Sequence, residues 1–469
     1  MAANADAGEV APAGTGAQAG ALGRFSWALF DGTRGPYGSL ITLFIFSAYF
    51  ATVVIPDPIR GQALWGYANS IAAALVAIGA PVVGAIADAS GRRKPWIAAC
   101  MLVGIPSMAL LFLATPNMGP SLVWVIVALV GAGASIEYAA IFLNAMLPNI
   151  ASRARIGVLS GMGLSFANLS NIIVLLFFLF AWSWSSQPLF GLDAAQHEPE
   201  RAVGPIAALW WLIFGLPLFL FTPDSPATGA SKLQAVRLGF RSLRDTIPKL
   251  RRYENTTRFL IARMVFNEGF IVMMMLTGVY AAGMMHWTPR MLIAQGLINS
   301  LCAAISGFVA GWLDRRCGSR ISTVIFVSGC LCTNVILLSL TPTSVLFFDL
   351  PAGDSSGGIF PGIANKVFSA TIAATAVFVT AGFASSRALM AKLAPAHLQN
   401  EFFGLYALSG TATSFFGPLA IALATTLLHS QRGGVAVGIV FLAIGLLLLF
   451  KVREEPRPLP AGIRSGGSP

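Results

Sequence analysis

Gly84-Ala-Ile-Ala-Asp88-Ala-Ser-Gly91-Arg92-Arg93-Lys94 follows one long apolar run, and Gly311-Trp-Leu-Asp314-Arg315-Arg316-Cys-Gly318-Ser-Arg320 follows another. The two aspartates lie 226 positions apart. Two further echoes fall at similar offsets. Phe30-Asp31-Gly32 answers to Asn267-Glu268-Gly269, with 237 positions from Asp31 to Glu268, and Pro148 with Gly157 answers to Pro395 with Gly404, 247 apart in both cases. Two related membrane halves, each with an acid in its first helix and a basic turn after its second, are the pattern of a transporter.

Composition agrees with a place in the bilayer. The 469 residues are 56% hydrophobic and only 10% charged, with a mean hydropathy of +0.75, so charges are too few to cover a soluble globule. An excess of 30 Lys+Arg over 19 Asp+Glu would suggest nucleic acid in a soluble chain. Here the cations sit between apolar runs, and no nucleic-acid partner is expected. Cys100, Cys302, Cys317, Cys330 and Cys332 lie within or at the ends of those runs and suggest packing residues, with no disulfide framework and no metal site.

A hydrocarbon core of roughly 30 Å needs about 20 apolar residues per helix. On that scale the chain crosses twelve times, at 25–54, 63–87, 95–114, 121–147, 157–181 and 204–222, then at 257–283, 290–312, 321–340, 364–388, 401–428 and 433–451. The expected fold is all-α, with two pseudo-symmetric six-helix bundles at 25–222 and 257–451. Residues 1–24, Ala/Gly-rich and without a basic residue before Arg24, lack the features of a secretory signal and read as a disordered tail, and 452–469 form a second tail. The linker, 223–256, carries Leu233, Val236, Phe240, Leu243, Ile247 and Leu250 among cations, the pattern of an amphipathic helix on the inner lipid surface. Placing both termini inside assigns Arg92, Arg93, Lys94, Arg153, Arg155, Arg315, Arg316, Arg320 and the linker cations to the cytoplasm. Only Arg60, Arg201, Arg290, Lys366 and Arg432 then fall outside, as the positive-inside rule requires.

An aspartate at a helix end, a glycine turn and several arginines can bridge neighbouring helix ends and lipid phosphates, and remaking such contacts biases which side is open. Gly84, Asp88, Gly91, Arg92 and Arg93, with Asp314, Arg315 and Gly318, are therefore candidate gate residues. A topological anchor would explain the cations but not the recurring acid and glycine. The first copy resembles the signature loop between helices 2 and 3 of the major facilitator superfamily, with Ala89 in place of a basic residue, and the second copy fits that superfamily's duplicated halves. Longer stretches are more specific. Leu64-Trp-Gly-Tyr-Ala-Asn69-Ser70 through Gly79-Ala-Pro81, and Ser386-Arg387-Ala-Leu-Met-Ala-Lys392-Leu-Ala-Pro395 followed by Glu401-Phe-Phe-Gly404-Leu-Tyr-Ala-Leu-Ser-Gly410 and Phe416-Gly417-Pro418, resemble the vacuole-effluxer-like branch, which includes fungal autophagy-related vacuolar transporters. The resemblance implies a twelve-helix secondary carrier and, for the characterised fungal members, efflux of amino acids. In helix 1 this chain keeps Asp31, Pro36 and Tyr37 of the branch pattern but has Gly32, Thr33, Arg34 and Gly35 where that pattern has a Trp-Ala-Asn-Ser-like core.

Charged groups inside a bilayer cost several kcal/mol when they face lipid, roughly 2.5–3.5 even on the lenient insertion scale, so they mark cavities or partners. Asp31 and Arg34 share a face of helix 1, Glu137 and Tyr138 lie midway along helix 4, Arg263 and Asn267 share a face of helix 7, and Glu268 lies beside them. Asp31 and Glu268, at equivalent positions, are expected to face the central cavity and to exchange protons there. Two bland readings compete: a helix-end salt bridge for Asp31 and Arg34, and neutralised structural partners for Glu137, Arg263 and Glu268. Asn69, Asn144 and Arg387 are secondary candidates, with interhelical hydrogen bonding as the alternative.

His197, His286, His397 and His429 are scattered, and neither a phosphate-cradling loop nor a nucleophile elbow occurs, so an enzyme is not expected. The resulting expectation is a monomeric inner-membrane carrier of a small solute, amino acids or related metabolites favoured, linked to protons or facilitative, with lipid as its surroundings and no cofactor. A receptor or scaffold that keeps the fold without transport is the alternative.

Overall fold

The computed structural model describes residues 19–151, 153–183, 191–224, 253–346, 348–349, 358–394 and 399–454. Twelve spans among them are long and apolar enough to cross a membrane. They are α1 (Ala21–Val54), α2 (Pro58–Ser90), α3 (Lys94–Leu113), α4 (Leu122–Ile150), α5 (Arg153–Ser183), α6 (Glu198–Phe221), α7 (Glu254–Gly283), α8 (Pro289–Cys317), α9 (Ser319–Ser339), α10 (Gly362–Leu393), α11 and α12 (Gln431–Phe450). Helix α11 is two pieces, α11a (Gln399–Thr411) and α11b (Phe416–Leu427). The expected linker helix lies outside the described residues, as do Pro395 and residues 455–469.

The ends of the helices follow local chemistry. The turns after α2 and α8 are made in the same way, by a glycine in the left-handed region: Gly91 at φ 74° and Gly318 at φ 86°. Both basic motifs thus lie partly in helix, with Asp314, Arg315 and Arg316 in the last turn of α8. Helix α1 begins at Ala21, four residues before the expected start, and is irregular inside. A turn at Gly32-Thr33, Pro36, and π-helical stretches at Tyr37–Phe44 and Phe50–Val54 interrupt it. Such departures re-aim side chains and concentrate at functional sites. The break in α11, expected as one span, has a clear cause: Pro418 has no N–H to continue the ladder, and its ring crowds the preceding turn. Between α9 and α10 a two-residue hairpin, β1 (Ser344–Val345) with β2 (Phe348–Asp349), departs from an all-helical chain.

The packing repeats itself. Pairs α1–α5, α1–α6, α2–α4, α3–α4 and α3–α6 in the first half recur as α7–α11, α7–α12, α8–α10, α9–α10 and α9–α12 in the second. Contacts between halves obey the same two-fold: α2 against α11b matches α8 against α5, and α1 meets α7 on the axis. Trp27, Trp65, Trp211, Phe142, Phe266 and Phe270 fill the interior, while Leu102, Phe308 and Leu447 are among the large apolar residues left on the outer surface, as lipid contact demands.

Hydrogen bonds between the halves gather at one end. Gln62 of α2, fully buried, donates from Nε2 to Thr425 Oγ1 of α11b (2.8 Å) and to the carbonyl of Gln431 (3.0 Å), whose own Nε2 donates to the Pro58 carbonyl (3.2 Å). Ser70 Oγ donates to the Phe415 carbonyl at the α11 break (2.9 Å). The backbones touch nearby: a methyl added at Gly66 would sit 2.8 Å from the Pro418 carbonyl oxygen. On the axis, Gly278 of α7 packs against the Leu43 carbonyl of α1. We call this end the seal.

Candidate functional site

Near the midpoints of α1 and α4 the first half carries a charged cluster. Arg34 Nη2 donates to Glu137 Oε1 (3.1 Å) across 103 residues, and its Nη1 lies 4.0 Å from Asp31 Oδ1. Placing Asp31, Arg34 and Glu137 in one group requires the tight turn at Gly32-Thr33 and Gly163 of α5, where an added methyl would stand 2.8 Å from Asp31 Oδ2. The cluster is open: 38% of the Arg34 side chain and 51% of Glu137 remain exposed. Tyr37 sets its hydroxyl against Gly133 of α4, and Tyr138 turns the other way, donating to the Leu75 carbonyl of α2.

The second half is dry by comparison. Arg263 is buried, with its guanidinium 3.6 Å from the centre of the Tyr406 ring. Its Nη1 donates to the Tyr406 carbonyl (2.7 Å) and to Ser409 Oγ (2.6 Å), both on α11a. Nε has no acceptor, and no carboxylate reaches ion-pair distance of it, among the described residues. Desolvating a cation costs several kcal/mol, and the ring and two charge-assisted bonds offset only part of that. Asn267, one turn on, is also buried. Glu268 is 2% exposed and turned into α11: Oε2 accepts the Gly417 N–H (2.9 Å), and the Thr413 hydroxyl at the break in α11 is the other polar group beside the carboxyl. The pair of acids expected to face one cavity is thus divided, Asp31 in an open cluster and Glu268 inside helix packing.

The secondary candidates separate similarly. Asn69 returns its amide to the Trp65 carbonyl of its own helix (2.9 Å), whereas Asn144 and Arg387 are exposed. Among the gate residues, Asp314 accepts from Ser385 Oγ of α10 (2.8 Å), tying α8 to α10. Arg92 and Arg315 are exposed and Arg93 is buried. Gly84 lies within α2, and the side chain of Asp88, like that of Arg153, lies outside the described residues.

Sequence reasoning missed a matched pair of acids behind the basic turns. Asp224, just past α6, accepts the backbone N–H groups of Arg93 (Oδ1, 2.9 Å) and Lys94 (Oδ2, 3.1 Å) at the start of α3. Glu454, just past α12, accepts the N–H of Arg320 (2.8 Å) at the start of α9 and the Lys392 ammonium (2.7 Å). Burial alone would raise the Glu454 pKa; Lys392 and the backbone N–H groups of Arg320 and Ser319 outweigh it and hold the carboxyl below its ordinary value. Their spacing of 230 positions, close to that of Asp88 and Asp314, was the available signal. No group of three or more His, Cys, Asp or Glu is placed to hold a metal ion among the described residues.

With this geometry in hand, the likeness to known proteins is specific. An uncharacterized MFS-type transporter, YxiO of Bacillus subtilis, is 23% identical over 92% of this chain and 94% of its own length. Autophagy-related protein 22 of Cryptococcus neoformans is 24% identical over 57% of this chain, and the match spans only 46% of that protein. In three dimensions the chain is similar to a D-xylose-proton symporter, with a TM-score of 0.63 at 12% identity over 93% of this chain and 97% of the other, which shows the major facilitator fold. The profile of the family described as vacuole effluxer Atg22 like matches residues 53–456, and the chain belongs to that family.

Proposed function

We propose that this protein is a secondary carrier that moves a small zwitterionic solute, an amino acid or a close relative, across a cytoplasmic membrane by alternating access. The observation that carries the reading is the Arg34–Glu137 pair, 3.1 Å apart at mid-membrane depth with much of each side chain open. Charges kept there without lipid-facing penalty belong in a water-filled path. The solute's cationic group would compete with Arg34 for Glu137 and Asp31. Its anionic group would find a cation in Arg263, which lacks a carboxylate of its own among the described residues.

The positive-inside rule puts the basic turns and both termini in the cytoplasm. The seal at Gln62, Ser70 and Gly66 then faces outward, and the structure is an inward-facing state. Glu268 is the proton carrier in this reading: its carboxyl is buried in α7, meets only the Gly417 N–H and the Thr413 hydroxyl, and has no cation at ion-pair distance among the described residues. The two fluxes would be linked if the halves interconvert when Glu268 is protonated and solute is bound, or when both are absent, but not when only one is in place. The two-fold packing supports rocking of one bundle against the other about the α1–α7 axis.

Purified protein reconstituted in vesicles tests this directly. Counterflow of labelled amino acids should be measurable and should fall about tenfold or more in Glu137→Gln, since a charge-assisted bond is worth roughly 1.5–3 kcal/mol. Glu268→Gln should keep counterflow and lose proton-linked uptake. Absence of flux and of thermal stabilisation by any amino acid, in correctly folded protein, would favour a scaffold instead.

A further inference from the structure

The two halves place an acid of their first helix against a glycine of their fifth, and only one of these contacts sits at a hinge. A methyl at Gly163 would lie 2.8 Å from Asp31 Oδ2, and a methyl at Gly417 would lie 2.8 Å from Glu268 Oε2. Helix α5 runs unbroken through Gly163. Helix α11 is interrupted at 412–415, so the Gly417 N–H, in the first turn of α11b, is free of the helix ladder and donates to Glu268. The carboxylate therefore does for α11b what a capping side chain does, from another helix and from inside the protein.

What α11b does makes this contact consequential. It is the piece that closes the seal: Phe415 at its threshold accepts from Ser70, Pro418 abuts Gly66, and Thr425 accepts from Gln62, all on α2 of the opposite half. The other piece, α11a, holds Arg263 through Tyr406 and Ser409. One helix, α7, thus grips both sides of the α11 break, at Arg263 below and Glu268 above. We propose that Glu268 is the positioning residue of the seal: by capping α11b across the hinge it fixes the angle of that half-helix and keeps it docked on α2. The inference rests on the alternating-access reading but concerns a contact which that reading does not use.

Spin labels at Arg60 and Leu428, both exposed at the sealed end, report the distance across it in full-length protein freed of its native cysteines. Glu268→Ala should raise the population with a wide separation about tenfold, the size expected for leaving the buried Gly417 N–H without an acceptor. Glu268→Gln, whose amide oxygen can accept the same N–H, should keep the native distribution, and Gly417→Ala, which displaces the carboxylate, should follow Glu268→Ala. An unchanged distribution in both Glu268→Ala and Gly417→Ala, or a Glu268→Gln distribution as wide as that of Glu268→Ala, would overturn the proposal. If Glu268→Ala does not fold, the contrast between Glu268→Gln and Gly417→Ala decides alone. Proton-linked uptake in Glu268→Gln bears on the other reading only: its persistence, with a native seal, removes Glu268 as proton carrier and leaves its capping role standing.

Discussion

Asp31 and Glu268 occupy equivalent helices and meet equivalent glycines, yet one lies in an open ion cluster and the other is 2% exposed beneath a broken helix. The difference lies in what surrounds them. Asp31 has Arg34 three residues away, a turn that frees its helix from regular geometry, and an unbroken α5 behind it. Glu268 has no cation in contact among the described residues, and Pro418 has opened a donor for it in α11. The acid keeps its place in both halves and its surroundings differ, and the proposed roles follow that difference: solute recognition in the open cluster, control of a hinge inside helix packing.

The largest effect is expected at Arg263, the cation proposed to receive the solute's anionic group through a charge-assisted bond. Arg263→Ala should weaken solute binding by about 3 kcal/mol, roughly a hundredfold, in a titration calorimeter. Arg263→Lys should not restore it, because an ammonium cannot both stack on Tyr406 and present a fork. Next, Gly417→Ala should reduce counterflow several-fold more than Gly163→Ala: the added methyl pushes the buried Glu268 carboxyl off the Gly417 N–H, overpacking that costs about 1–3 kcal/mol, whereas Asp31, half-buried, can swing outward. Equal effects would mean that the two acids are not differently constrained. A double-mutant cycle on Arg34 and Glu137 should return only about 0.2–1 kcal/mol in unfolding stability, as for other solvent-exposed pairs, even though flux falls sharply. A large coupling would place that pair among structural elements.

The smallest effect belongs to the matched acid caps. Because the Glu454 pKa is held below its ordinary value, its contribution to stability is complete above about pH 4.5 and is lost as pH falls through the lowered value. Melting temperatures of the wild type and Glu454→Gln should differ at neutral pH and converge in acid. A difference that persisted or grew in acid would contradict the depressed pKa.

Most of the architecture was legible because it depends on short-range signals. Twelve apolar runs, glycines at 91 and 318, and the recurrence of Asp88 as Asp314 lead to the spans and to the two-fold without knowledge of any distant contact. The Arg34–Asp31 pairing followed from helical spacing as well, whereas the third member, Glu137, is 103 positions away and its pairing is a product of α1 and α4 packing. The hinge was half visible: Pro418 marks a helix break, but its partner Glu268 is 149 positions back, and nothing local links them. Asp224 and Glu454 were hidden for a simpler reason. Each stands just past the last apolar residue of its half, where composition already reads as linker or tail, and its role depends on a helix start that folding brings beside it.

In the proposed cycle the two bundles rock, closing one end as the other opens. Distances measured by electron spin resonance at both ends of one protein test it: Arg60 to Leu428 across the seal, and Arg155 to Cys317, both exposed, at the opposite end. On adding transported solute and a proton gradient, the account predicts that the first distance lengthens in the same fraction of molecules in which the second shortens. If both ends widen together, or neither moves while flux proceeds, the account is wrong.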